Sequence, residues 1–253
     1  MKNLLLFALV LFQLNLNAQG RWNVGLQMGV TGNPSKFSSG MEDASALFTN
    51  NVYGAGQLAV NFRYRIAERW SFQTGFGFSE FGFEYTLAKD YSLLKSEDHF
   101  AYLRTGTCTS EIPALIIYNS KLNCRNFRFI AGAGFGFTAI DSKWQSETSV
   151  PVDQINAENN QPAEMTEHSH SLQSTSANFQ WLIGVEKVWS RGNMLSLTFQ
   201  SRYGFSNIAS STVSYMVENK NYTHTFTNNG TSCGIALCYY FLPMGTRKLN
   251  RVK

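Results

Sequence analysis

The chain has 253 residues and a formal charge of +4, with 15% charged and 14% aromatic residues. Ordinary soluble domains carry about 25% charged residues. The mean hydropathy is −0.19, and no apolar run beyond the N-terminus nears the roughly 20 residues of a spanning helix. These values exclude a helical membrane protein, and Lys and Arg scattered without a patch exclude a nucleic-acid surface; an all-β chain rich in Phe and Gly (20 of each) remains.

Residues 1–18 read as a secretory signal peptide. Lys2 precedes an apolar stretch Leu4–Phe12 and a polar close on Asn17-Ala18-Gln19, too short and wrongly flanked for a transmembrane anchor. Cleavage after Ala18 leaves Gln19 first, with no Cys nearby to carry a lipid.

Eight segments of period two follow. The first sets Trp22, Val24, Leu26, Met28 and Val30 against Arg21, Asn23, Gly25, Gln27 and Gly29. The second sets Leu58, Val60, Phe62 and Tyr64 against Gln57, Asn61 and Arg63, and the third sets Trp70, Phe72, Phe76 and Phe78 against Gln73, Gly75 and Gly77. Beyond Glu80 the apolar parity flips to Phe81, Phe83 and Tyr85, the mark of a bulge or of an excursion above the sheet. The fourth segment ends EIPALIIY, with Ile112, Ala114, Ile116 and Tyr118 on one face, and the fifth is FRFIAGAGFGF. The sixth carries Phe179, Trp181, Ile183 and Val185, the seventh Leu195, Leu197, Phe199, Tyr203 and Phe205, and the eighth Cys233, Ile235, Leu237, Tyr239 and Phe241.

About ten residues is the length at which a tilted strand crosses a bilayer. Connections near 67–69, 119–126 and 190–193 are short, whereas 31–51, 86–101, 140–176 and 209–224 are long and polar and read as four mobile outside loops. The expected fold is an all-β, eight-stranded, antiparallel, up-and-down transmembrane β-barrel over residues 19–241. A basic tail at 242–253 carries Arg247, Lys248, Arg251 and Lys253, and both termini fall on the short-turn, periplasmic side.

Period two also fits a lipocalin-like soluble barrel. Three features favour the membrane. The polar face is crowded with Gly, Ser and Thr, which suits a narrow lumen, and Trp22, Trp70, Tyr118 and Trp189 collect near one set of strand ends as an interfacial girdle requires. The last strand carries Ser232, Gly234, Leu237 and Tyr239, an S-x-G-x-x-L-x-Y pattern like the C-terminal signal read by barrel-assembly machinery.

The signal ending NAQ, RIAERWSFQTGFGF, EIPALIIY, FRFIAGAGFGF, FQWLIGVEKVW, LTFQSRYGFSNI and the final aromatic strand together resemble the small PorT-type outer-membrane β-barrel family of Bacteroidota. The resemblance implies the barrel fold and outer-membrane residence. One branch of that family serves the type IX secretion system, so the resemblance also points to a role accessory to a secretion or surface complex.

Eight strands enclose room for side chains alone. By parity the inward set includes Gln57, Asn61, Arg63, Arg65, Gln73, Glu111, Arg128, Gln180, Glu186, Gln200 and Arg202. A lone charge in such a lumen costs several kcal/mol, so pairing is required. Counting from the short-turn end puts Glu186 level with Arg63 and Arg128, and Glu111 and Arg202 higher; two layers of pairing would make a polar core without a solute channel.

Candidate chemistry is sparse. His99, His168, His170 and His224 fall in the long connections, and E-M-T-E-H-S-H-S brings Glu164, Glu167, His168 and His170 together. A His-x-His pair with a third ligand holds zinc in some sites, but a solvated polar loop accounts for the cluster, and no metal or cofactor is expected. A lipid-modifying enzyme needs Ser, His and an orienting acid in fixed geometry; neighbours in one loop, His168 or His170 with Ser169, Ser171 and Glu167, do not supply it, and there is no G-x-S-x-G. Cys108, Cys124, Cys233 and Cys238 are expected as free thiols. The expected role is non-enzymatic, structural or partner-binding, with an outer-leaflet lipid-modifying enzyme or small-solute transporter as the alternative. Expected partners are outer-membrane lipid, the barrel-assembly machinery during biogenesis and an outer-membrane protein.

Overall fold

The computed structural model describes residues 22–39, 48–87, 102–123, 125–152, 163–189, 192–217 and 220–241. The signal segment, the basic tail, His99 and Cys124 lie outside the described residues. In chain order the strands are β1 (Trp22–Pro34), β2 (Lys36–Ser39), β3 (Phe48–Asn50), β4 (Val52–Arg65), β5 (Trp70–Leu87), β6 (Tyr102–Asn119) and β7 (Phe127–Ile140). They continue with β8 (Gln145–Val152), β9 (Ala163–Ser171), β10 (Thr175–Val188), β11 (Met194–Gly204), β12 (Ala209–Val217), β13 (Lys220–Asn228) and β14 (Ser232–Phe241).

Eight of these close a barrel in the order β5-β4-β1-β14-β11-β10-β7-β6, with β6 returning to β5. Every pairing is antiparallel. The first and last strands seal it, from Val24 opposite Phe241 to Gly32 opposite Cys233. The fold is thus the eight-stranded antiparallel barrel expected from strand parity.

The long connections differ from expectation. Residues 145–152, 163–171, 209–217 and 220–228 are not loops; they are strands of a five-stranded sheet, ordered β2-β13-β12-β9-β8, that caps one end of the barrel. Their sequences, such as ASSTVSYMV and KNYTHTFTN, alternate Ser and Thr with Val, Tyr and Phe. Thr, Val and Tyr favour strands whatever their polarity, so hydrophilicity alone misled the reading of these segments.

The parity flip beyond Glu80 is not a bulge. β5 and β6 keep one register from Trp70 opposite Tyr118 to Thr86 opposite Tyr102. The odd residues of β5 point inward throughout; the apolar residues change sides instead. Below Glu80 the outward residues are apolar except Thr74, as on the rest of the lower wall, where Met28, Leu58 and Phe137 are 62%, 63% and 65% exposed. Above it Phe81, Phe83 and Tyr85 face in and are buried, joined by Tyr53 and Ala55 of β4 and Ile208, Val213 and Phe226 from the cap. Tyr85 and Phe226 stack tilted, 4.3 Å between centroids. Outside this upper core lie Glu80 and Arg104, 3.9 Å apart and half-exposed.

The apolar stretch Trp70–Phe78 of β5 has the length of a tilted bilayer crossing. At its lower margin three aromatic pairs ring the barrel: Trp22–Tyr64, Trp70–Tyr118 and Trp189–Tyr239, with centroids 4.9, 5.3 and 6.2 Å apart. Rings with an apolar body and a polar tip settle at such a boundary.

Candidate functional site

In a strand, alternate side chains share a face, so each inward polar residue of the barrel has a fixed direction, and the register sets its height. The lumen contains two charged layers built this way.

The lower layer centres on Glu186 of β10, which is fully buried. Its cross-strand partner is Arg128 of β7, whose Nε donates to Glu186 Oε1 at 2.7 Å and whose Nη2 reaches the same oxygen. From across the barrel, Arg63 Nη1 donates to Glu186 Oε2 at 2.5 Å. Arg63 faces Gln73 across β4 and β5, and its Nε and Nη2 donate to Gln73 Oε1 at 3.1 and 2.9 Å. Tyr240 completes the layer: its hydroxyl accepts from Arg63 Nη2 at 2.9 Å and donates to Gln73 Oε1 at 2.8 Å. The Arg63 guanidinium also sits 4.3 Å from the Tyr240 ring centroid. One carboxylate against two guanidiniums leaves the layer formally one charge positive.

The upper layer joins Glu111 of β6 to Arg202 of β11 and Gln180 of β10. Arg202 Nη1 donates to Glu111 Oε2, and Gln180 Nε2 to Oε1. Gln180 and Arg202 are cross-strand partners. Arg202 Nε further donates to the Gly230 carbonyl at 2.9 Å, and Gln180 Nε2 to Asn178 Oδ1 at 2.7 Å. This layer is formally neutral, and the Glu111 side chain is less buried than Glu186.

Glycines opposite the bulky members make room for them. A Cβ on Gly25 would stand 2.6 Å from the Tyr240 ring, and one on Gly136 would stand 2.3 Å from Gln180 Nε2.

Between the layers the lumen is not polar all round. Leu115, Ile117, Ile130 and Leu182 form an apolar cluster on the β6–β7–β10 side. EIPALIIY is apolar on both parities, a signal for this cluster that a one-face reading passes over. Tyr240 was also missed, because the last strand reads as an aromatic outer wall; yet it shares the inward parity of Ser232, Ala236 and Cys238, all buried. Against the Leu115 and Leu182 side of this cluster lies a cavity of ≈ 70 Å³.

Strand parity also separates the His-rich segment. His168 and His170 face outward on β9, with His168 Nε2 3.8 Å from Glu147 Oε1. Glu167 and Ser169 face inward and are buried. No Ser–His–acid set forms from these neighbours, and no group of three metal-ligating side chains occurs among the described residues. Cys108, Cys233 and Cys238 are free thiols.

The inward residues of the cap form a small polar cluster within the upper core. Glu167 Oε1 accepts hydrogen bonds from Ser169 Oγ at 2.9 Å and Ser211 Oγ at 2.8 Å. Burial raises the Glu167 carboxyl above its ordinary value, against the opposing effect of those two hydroxyls, and burial lowers the His224 imidazole below its own. Val213 lies between them in the sheet, paired with Glu167 on one side and His224 on the other.

Residues 13–210 match the outer membrane protein beta-barrel domain family, and the chain belongs to it. No curated protein matches the chain. Among solved structures it is similar to the outer-membrane protein OprG of Pseudomonas aeruginosa, at 13% identity and a TM-score of 0.48, covering 89% of this chain and 98% of that one. It is also similar to a major outer-membrane protein of Thermus thermophilus, at 10% identity and a TM-score of 0.36, over 86% and 99% of the two chains. A third is an outer-membrane channel of Pseudomonas putida, at 10% identity and a TM-score of 0.30, over 89% and 98%.

Proposed function

We propose that this member of the outer-membrane β-barrel domain family is a non-enzymatic barrel, closed to solute flow, that serves by holding a partner at its cap or lipid-facing wall. The observation that carries the reading is the double closure of the lumen. Glu186 of β10 ties its neighbour Arg128 to Arg63 on the opposite wall, and Glu111 of β6 reaches over β7 to the adjacent Gln180 and Arg202. Opening a path through both layers breaks two buried ion pairs, each of which leaves unpaired charge at a cost of roughly 3–5 kcal/mol. The separation of His168 and His170 from Glu167 and Ser169 speaks against hydrolytic chemistry at the cap.

In this reading the chain is exported by its signal peptide and its terminal strand, through Ser232, Gly234, Leu237 and Tyr239, is read by the assembly machinery. The short turns and both termini face the periplasm and the cap faces outward. The PorT-type likeness supports Bacteroidota kinship and a place beside a secretion or surface complex, with outer-membrane lipid and an outer-membrane protein as neighbours. Conductance of purified protein in planar bilayers tests the closure: silence is expected, and a stable large channel overturns it. Recovery of a stoichiometric partner from native membranes tests the second half.

A further inference from the structure

We propose that the cavity between the two charged layers is a binding pocket for a small uncharged solute rich in hydroxyl or amide groups, of about the size of glycerol or urea.

The first ground is space. The cavity measures ≈ 70 Å³, and a water needs about 10–15 Å³ of such volume, so it admits about five waters or one compact solute in their place. The second is the lining. Gln27, Gln57 and Gln200 line it from three different strands, with Asn61 and Gln73 at the lower end and the Leu115–Leu182 side closing the back. Carboxamides both donate and accept, which matches a ligand whose own groups do both.

The third ground is what the lumen leaves unsatisfied. Most polar side chains here are hydrogen-bonded to one another; Asn61 Nδ2, for example, donates to Gln27 Oε1 at 2.8 Å. On this wall, however, Gln57 Nε2 and Thr31 Oγ1 are buried atoms without a hydrogen-bond partner among the described residues. Buried polar groups left unpaired are costly, and both residues line the cavity, so a small rotation of either side chain would offer its unpaired group to a guest. The charge of that guest follows from the lining: its charged members, Glu111 and Arg202, are bonded to each other. An ion would touch no free counter-charge in the lining, with the spare positive charge of the lower layer set behind Gln73, whereas a neutral polar molecule needs none.

The pocket is compatible with a closed lumen, because a solute that enters past one layer still meets the other. Its failure leaves the conductance result untouched, and a conducting barrel would leave the binding result untouched.

The test uses the full chain in lipid nanodiscs, titrated with glycerol and with urea, and with acetate as a charged control, while side-chain amide NMR signals are followed. Saturable shifts at Gln57, Gln27 and Gln200 with the two neutral probes, and none with acetate, are expected. Thr31→Val keeps the shape and removes the hydroxyl; Gln57→Leu keeps most of the volume and removes the donor. Each is expected to weaken binding about tenfold, the worth of one hydrogen bond, in barrels whose heat-modifiable gel mobility shows that they fold. Where a variant does not fold, magnetisation transfer from bound glycerol to the Gln57 amide in the unaltered chain decides instead. The proposal is overturned by unsaturable shifts spread over the protein, by equal binding in both folded variants, by acetate binding as tightly as glycerol, or by no transfer to Gln57.

Discussion

The lower barrel and the capped upper barrel are continuous on the same strands, yet they are built on opposite chemistry. On β5, Phe76 and Phe78 face out below Glu80, while Phe81 and Phe83 face in above it, with no change in register. The medium outside the wall accounts for the difference. Against hydrocarbon, an outward Phe loses nothing by exposure, so the lower section is held by closure of its backbone hydrogen bonds and by ion pairs inside. Against water, apolar residues gain about 1.5–3 kcal/mol each by turning inward, so the upper section is an ordinary hydrophobic core. One strand therefore obeys two folding rules, and Glu80 is where they meet.

The most damaging way to break the lower section is to remove its shared anion. Glu186→Leu leaves Arg63 and Arg128 buried without a counter-charge, and a loss of about 3–5 kcal/mol is expected, read by urea unfolding in lipid vesicles. If the lower layer were solvated filler, the midpoint would hardly move. Phe83→Ala attacks the other rule. A loss of about 3 kcal/mol is expected from cavity formation, confined to the cap: limited proteolysis should cut the cap strands while the barrel resists. A third pair of variants locates the boundary. Phe76→Arg places a charge against hydrocarbon and is expected to cost about 2–4 kcal/mol, whereas Glu84→Arg, eight residues further along β5 and opposite Arg104, should cost no more than about 1 kcal/mol from that like-charge pair. Equal costs would mean that Glu80 does not mark the membrane surface.

How much of this was legible in the sequence depends on which physical variable each feature uses. Direction is carried by parity and height by counting, and the meeting of Glu186 with Arg63 and Arg128 needs no more than those two. The bonds from Gln73 and Tyr240 to Arg63 depend on side-chain rotamers converging across the lumen, which a strand pattern does not carry. The cap is hidden for another reason: AEMTEHSHS of β9 barely alternates in polarity, and the alternation in β12 and β13 is set among so many Ser, Thr and Asn that the segments resemble polar loops although the backbone is extended. The flip at Glu80 was visible, but a change of face and a change of surroundings produce the same pattern along one strand; the pairing with β6 separates them.

The smallest expected effects concern the cap's titratable pair, and they have opposite signs. The Glu167 carboxyl is raised above 4.5 by burial, so its contribution is complete below about that pH and is lost as pH rises through the raised value. The His224 imidazole is lowered below 6.5 by burial, so its contribution is complete above that value and is lost as pH falls through the lowered one. Amide protection factors in β9 and β13, exchange rates divided into the intrinsic rate at each pH, should therefore fall toward both ends of the pH range. Glu167→Gln is expected to flatten the alkaline side and His224→Phe the acid side. A single-sided profile in the unaltered chain would show that one of the two groups is silent.

The closing seam has a consequence for the order in which the molecule is made. β2 directly follows β1 and pairs with β13, which directly precedes β14, while β1 itself pairs with β14. The cap sheet thus lacks its β2 edge until almost the whole chain has been delivered and the two ends have met. Contacts so distant along the chain make for slow, late steps, and the step that zips the barrel shut also delivers β2 to β13. An antibody or protease that senses the β2–β13 junction would count finished barrels and ignore those still open during insertion.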